Sequence, residues 1–282
     1  MQPMTCDSRN ALDAERADRG ARAFVIWPLL VGIALLIAAC ATPPPADDPD
    51  ALAEYKATND PLEPMNRAIF SFNQFADKIL LKPLSLLYRD MVPPEARKGV
   101  HNMFGNLRSP VTLANDLLQG DMDRASITVQ RFAVNSTAGV GGLFDVAASY
   151  GLEGHREDFG QTLAIWGSGE GVYLVLPILG PSNPRDGVGL LADGFMDPLD
   201  YVAPFGALAA RTVVRGVDER LRVIDTLDEI ERTSIDYYAT LRSLYRQRRG
   251  DEIRNGGPPP IIPIPSLSFE GDTDPDQLSR AD

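Results

Sequence analysis

The chain has 282 residues, 44% of them apolar, and a formal net charge of −12. That acidic balance argues against a nucleic-acid surface and against a polybasic grip on anionic lipid, while length and apolar content suit one core of good size. With two histidines and two cysteines in the whole chain, thiol and zinc chemistry have almost no material to work with.

The first recognisable element is an apolar run from Phe24 to Ala39, preceded by Arg16, Arg19 and Arg22 and interrupted by Pro28. A helix spanning about 30 Å of hydrocarbon needs about 20 apolar residues. The run is shorter, so a basic segment, a short apolar core and a small-residue exit describe a cleaved export signal better than an uncleaved anchor. Leu36-Ile37-Ala38-Ala39-Cys40 resembles the lipobox of bacterial lipoproteins. That resemblance implies diacylation of the Cys40 sulfur, cleavage before it and acylation of the new amino terminus. A single acyl chain anchors only weakly, whereas a multiply acylated Cys40 holds stably. Ala41 and Thr42 stand where lipoproteins kept at the inner membrane usually carry Asp, which points to the outer membrane. Cys6 leaves with the signal, so the mature chain is expected to hold neither free thiol nor disulfide. Residues 1–39 carry four acids and four bases, so the net charge belongs entirely to the mature chain from Cys40 onward.

Residues 40–58 form a Pro- and Asp-rich tether that lacks the material for a core, and residues 251–282 make a Pro-rich acidic tail. One domain, residues 59–250, is expected between them. Its signals are mainly helical, with little β structure. In DPLEPMNRAIFSFNQFADKILLKPL, apolar residues recur at three- to four-residue steps from Leu62 to Ile79, widened by Phe70, Phe75 and Leu80. This predicts a helix roughly 30 Å long ending near Pro83. It reads equally well as a buried-core helix or as one lying in the plane of a leaflet. Ser109-Pro110 is expected to open a second helix that Gly120 closes, and Asp121 to Ser136 a third. Gly139, Gly141 and Gly142 then interrupt an apolar stretch. This is no dinucleotide loop; it suits a flexible hairpin, a close backbone approach or an ordinary tight turn. A short buried strand is expected over Val172 to Leu176. Arg211 to about Arg249 reads as one long amphipathic helix.

Catalysis finds little support. There is no G-x-S-x-G elbow, and Gly167-Ser168-Gly169 lacks the pattern. Glu157-Asp158 reads as the start of a helical turn. His101 and His155 read as solvated surface positions, and most acids as solvated outer faces. No metal, cofactor or enzymatic activity is expected.

An ordered set of short stretches gives the chain its specificity. Asp60-Pro61-Leu62-Glu63, Asn66-Arg67, Phe70 and Phe72-Asn73 are followed by Tyr88-Arg89-Asp90, Val92-Pro93, Gly105-Asn106-Leu107 and Leu118-Gln119-Gly120-Asp121. Arg131-Phe132, Asn135, Gly139 through Ala147, Phe159 through Leu163, Leu176-Pro177, Gly180, Arg185-Asp186 and Asp193-Gly194 complete it. In order and spacing these stretches resemble the MlaA (VacJ) family of outer-membrane lipoproteins, departing from it at Pro64-Met65. The resemblance implies a ring of amphipathic helices around a central channel, in the periplasmic leaflet of the outer membrane. The implied work is removal of phospholipids from the outer leaflet and their delivery to a soluble periplasmic carrier, beside trimeric porins. It also implies that Phe70, Phe72, Asn73 and Phe75 lie on a membrane-facing, gating helix. Gly139, Val140, Gly141, Gly142, Leu143, Phe144 and Asp145 would form a hairpin lining or closing the channel. A lipoprotein that braces porins or the cell wall without moving lipid is the alternative reading, and a membrane-anchored lipase a weaker one.

Overall fold

A computed structural model describes residues 60–257. The export signal, Cys40, the tether and the tail beyond Gly257 lie outside the described residues.

The first helix is longer than its sequence predicts. It runs as α1 (Glu63–Ala76), a π-helical turn (Asp77–Leu81) and α2 (Lys82–Met91) without a break. Proline normally ends a helix because its ring collides with the carbonyl four residues back, yet Pro83 does not. The π turn lies just ahead of it and widens the backbone spacing: the Lys82 N–H reaches Asp77 O, five residues back. A second proline is also absorbed. α3 (Pro94–Gln119) continues through Pro110, so Ser109 does not cap a new helix. Asn106, Val111, Thr112, Asn115 and Asp116, all buried on either side of Pro110, hold the chain helical by tertiary packing where local propensity would break it.

α4 (Met122–Thr137) starts where its cap predicts, with the Asp121 side chain accepting from Arg124 N at 3.0 Å. A 3-10 turn (Ala147–Tyr150) leads through coil to α5 (Phe159–Ile165), which opens with a capping box between Asp158 and Gln161. The expected strand is present but short: β1 (Leu174–Leu176) pairs antiparallel with β2 (Gly180–Ser182), Val175 opposite Pro181. α6 (Pro184–Met196) and a short α7 (Leu199–Val202) come next. The expected single final helix is divided into α8 (Phe205–Arg222), α9 (Ile224–Thr233) and α10 (Tyr237–Ile253). Asp236 ends the continuity by capping α10, accepting from Ala239 N at 3.1 Å. α10 carries the domain past residue 250, where composition alone places the start of the tail.

These elements close on themselves. α2 packs on α8, α9 joins α8 to α10, α10 packs on β2, and β1 packs back on α1. α3 runs inside, touching α4, α5, α6 and α8. The closure is polar. Asn66, fully buried on α1, donates to Asp60 Oδ1 (2.8 Å) and Tyr173 O (3.0 Å) and accepts from Val175 N (2.9 Å). Tyr238 and Arg242 of α10 complete Asp60 from the other side, Arg242 Nη1 lying 2.7 Å from its Oδ2. A small hydrophobic core of Tyr173, Val175 and Tyr238 sits beside it.

Buried polar and charged residues outnumber buried apolar ones more than two to one among the described residues. Large apolar side chains are instead exposed on most elements: Phe72, Phe75 and Ile79 on the first helix, Leu87 and Met91 on α2, Leu191 and Phe195 on α6. This inverts the usual arrangement of a water-soluble domain. No described helix is long and apolar enough to cross a membrane.

Candidate functional site: a polar cavity inside an apolar shell

The interior face of α3 bears polar residues at helical spacing: His101, Arg108, Ser109 and Thr112, with Gly105 between them, all line one cavity of about 340 Å³. α4 faces it with Thr128, Arg131 and Asn135, again three and four residues apart. The coil before α5 contributes Gly154, His155 and Arg156. Arg108 and Arg156 also line a second cavity of about 400 Å³, bounded further by Arg215, Arg248 and Glu252. A third, on the β1–β2 side, shares Arg108 and Arg248 and adds Leu176, Leu179 and Leu190. The three spaces therefore share walls along a polar interior that meets apolar residues at the hairpin.

The walls are fixed by hydrogen bonds rather than grease. The Asp193 carboxylate accepts from Arg108 Nη2 (2.9 Å), Asn115 Nδ2 (3.1 Å) and Phe159 N (3.0 Å), tying α6 to α3 and α5. Burial pushes its acidity weaker despite Arg108. Glu157, almost wholly buried, accepts from Arg124 Nη2 (2.6 Å) and Gln119 Nε2 (2.9 Å). Its carboxyl is pushed up by burial, against those donors. Thr162 donates to Asn115 Oδ1 at 2.8 Å. Such buried groups are costly unless satisfied, and of those named here only Arg124 Nε is left without a partner.

Both histidines depart from expectation. His155 lies inside, its Nε2 3.1 Å from Asp116 Oδ1 and 3.2 Å from Thr128 Oγ1. His101 Nδ1 is 2.9 Å from Asp218 Oδ2. Asp60, Asp116, Asp193 and Asp218 are buried as well, so the expectation of solvated acids fails for the inner ones. The polar interior reverses the assumption that charge faces water. Thr128, His155 and Asp116 do not form a nucleophile triad. Thr128 donates its proton to Asp116 Oδ2 (2.6 Å), and one histidine nitrogen faces both acid and hydroxyl, whereas a triad uses opposite nitrogens. Among the described residues no group of three or more His, Cys, Asp or Glu side chains is arranged to hold a metal ion.

The sequence profile described as "MlaA lipoprotein" matches residues 58–252. The chain belongs to the MlaA lipoprotein family. It is 36% identical over 210 residues to "Intermembrane phospholipid transport system lipoprotein MlaA" of Escherichia coli (strain K12), covering 72% of this chain and 82% of that protein. An uncharacterized protein of Rickettsia bellii (strain RML369-C) is 39% identical over 191 residues, 67% of this chain and 75% of the relative. A solved structure described as the "Structural basis for maintenance of bacterial outer membrane lipid asymmetry" superposes with a TM-score of 0.62 at 36% identity, covering 70% of this chain and 99% of that one.

Within this MlaA family member the expected gating residues separate. Phe72 and Phe75 are exposed, but Phe70 turns inward, with ring centroids 5.5 and 5.4 Å from Tyr237 and Tyr238. Phe70 is thus half-buried and packs against the hydrophobic core. Asn73 spans to the β-hairpin, donating to Leu176 O (2.9 Å) and accepting from Ile178 N (2.7 Å). It holds a tip whose Ile178 and Leu179 are exposed, Ile178 at φ 68°.

The expected Gly139–Asp145 hairpin is a tight cap folded onto the end of α4, separate from the β-hairpin. Gly139, Gly141 and Gly142 donate back to Val134, Ser136 and Asn135 carbonyls at 3.1, 3.0 and 2.7 Å. A Cβ on Gly142 would lie 2.4 Å from Asn106 Cβ, so its glycine serves a close approach to α3. Of the seven residues only Asp145 lines the cavity, while Val140 and Phe144 are exposed. Burial would raise the Asp145 carboxyl, but hydrogen bonds from Arg131 and Asn135 outweigh it and hold it below the usual carboxylate range. Sequence patterning does not single out Arg108, Thr112, Thr128, His155 or Arg156. Their signal is a polar stripe at three- to four-residue steps, the mirror of the apolar stripe usually sought.

Proposed function

We propose that this chain is an outer-membrane lipoprotein that removes mislocalised phospholipids from the outer leaflet and passes them to a soluble periplasmic carrier, maintaining lipid asymmetry. The observation that carries the reading is the inverted polarity: an apolar exterior suited to acyl chains surrounds a polar cavity suited to a head group. A largely helical domain also suits a lipid environment, since helices satisfy their own backbone hydrogen bonds. The name of the Escherichia coli relative points the same way.

In this reading Cys40 carries the acyl anchor, and the domain lies in the periplasmic leaflet beside trimeric porins. Phe72 and Phe75 contact lipid, Asn73 holds the hairpin that borders the apolar end of the passage, and the Gly139–Asp145 cap bounds the polar end. No chemistry is performed on the lipid. A strain lacking the protein should accumulate outer-leaflet phospholipid, and the parent gene should reverse this. Purified protein should retain phospholipid and release it intact to the carrier. Release of free fatty acid would instead mean hydrolysis, and neither binding nor transfer would mean a structural brace.

A further inference from the structure

Among the described residues, Arg156 is a cavity cation whose charge the protein leaves largely unanswered. Arg108 donates to Asp193, Arg124 to Glu157, Arg131 to Asp145 and Arg248 to Glu252. The Arg156 guanidinium makes no hydrogen bond within the described residues. Its nearest carboxylate oxygen, Glu219 Oε1 at 3.6 Å, already accepts from Arg215 Nε at 3.0 Å. Half of the side chain (51%) is open to solvent, and Arg156 lines both cavities, whose linings share only Arg108 and Arg156. Its neighbours in sequence are bolted in place: His155 against Asp116, and Glu157 against Arg124 and Gln119. The guanidinium is therefore presented from a rigid base.

We propose that Arg156, with Arg108 beside it at the junction of the two cavities, forms a binding site for a phosphate-bearing anion. This rests on the transport reading above, in which that anion is the phosphodiester of a phospholipid head group. A guanidinium offers a planar fork of donors matched to phosphate oxygens. Two at one junction suit a tetrahedral oxyanion better than a single carboxylate. The electrostatics agree. Burial lowers the basicity of Arg156, and the nearby charges of Arg215, Arg108 and Arg248 lower it further against the pull of Glu219. An arriving oxyanion relieves both penalties. A locally cationic junction inside a chain of net charge −12 is also a selective feature. The first cavity sets three arginines against the single carboxylate of Asp145, and the second sets five arginines against four carboxylates.

The test uses the full acylated chain in detergent and compares the parent with R156Q and R156K. Retained phospholipid is counted by native mass spectrometry, and binding of glycerol 3-phosphate and inorganic phosphate is titrated on delipidated protein. R156Q should melt like the parent, because the side chain it removes makes no hydrogen bond. It should lose about ten-fold or more in both retained phospholipid and glycerol 3-phosphate affinity. R156K, a point charge without the fork, should fall between them. Should R156Q melt early, the R156K comparison decides alone. Loss of soluble phosphate binding with retained phospholipid unchanged would make a free phosphate the ligand and overturn the head-group assignment. Unchanged binding of both would overturn the site. A parent that neither retains nor transfers phospholipid would sink the transport reading instead, a separate result.

Discussion

Asn66 illustrates how this fold is held at single positions: a fully buried amide makes three bonds to Asp60, Tyr173 and Val175. Asn66→Ala would strand three buried groups. At about 1–3 kcal/mol for each group left unpaired, partly offset by relaxation, a loss of about 3 kcal/mol is expected in a denaturant melt in detergent. The glycines of the cap separate in the same way. Gly142→Ala drives a Cβ into Asn106 and should destabilise strongly, whereas Gly141, at φ 70° with open space around it, should accept Val at a cost of about 3 kcal/mol of backbone strain, β-branched residues being the least tolerant of positive φ. Gly141→Val is therefore expected to fold while slowing lipid transfer; a transfer rate equal to the parent's would remove the cap from the passage. Asp145 supplies a pH prediction. Its folded pKa lies below the unfolded value of about 3.9, so its link to Arg131 contributes fully above about pH 4 and is lost as pH falls through the folded value. Thermal midpoints taken between pH 6 and pH 3 should drop at the acid end, and Asp145→Asn should flatten that drop.

Among the elements, those with strong local signals are legible in sequence and those decided by packing are not. Asp121 and Asp158 cap helices where their chemistry says they should. Pro83 and Pro110 look like helix breaks, but a π turn absorbs the first and buried polar contacts override the second. The long C-terminal helix splits because Val223 leaves helical geometry (φ −110°, ψ 6°) and Asp236 prefers to cap. The cavity is illegible for a different reason. His101, Arg108 and Thr112 on α3 are polar at helical spacing, as are Thr128, Arg131 and Asn135 on α4, and such a stripe normally marks the water-facing side. The β-hairpin gives a prediction at this scale. Asn73→Ala should leave the helices intact but accelerate amide hydrogen exchange at Ile178, whose N–H bonds to the Asn73 side chain. Deleting Phe72 and Asn73 should do more, since removing two residues turns the rest of the helix by about 200° and misplaces the Asp77–Arg220 pair (2.7 Å) as well. Exchange at Ile178 unchanged in Asn73→Ala would mean that the hairpin holds itself.

At the scale of the whole molecule, polarity is turned inside out: ion pairs and amides fill the interior while phenylalanine, leucine and isoleucine side chains face outward. In water such a surface would be strongly unfavourable at about 25 cal/mol per Å² of exposed apolar area, and in a leaflet it is matched to its solvent. The buried network then has two tasks, holding a closed circuit of helices and fixing the walls of the polar cavities inside it. The most direct test of this inverted polarity places a polarity-sensitive fluorophore on a cysteine introduced at Phe75 or at Ser109, with the protein reconstituted in phospholipid vesicles. The Phe75 label should be quenched by lipid-borne quenchers and sheltered from a water-soluble one, and the Ser109 label should respond the other way. A Phe75 label fully open to the water-soluble quencher, or a Ser109 label reached only from lipid, would contradict it.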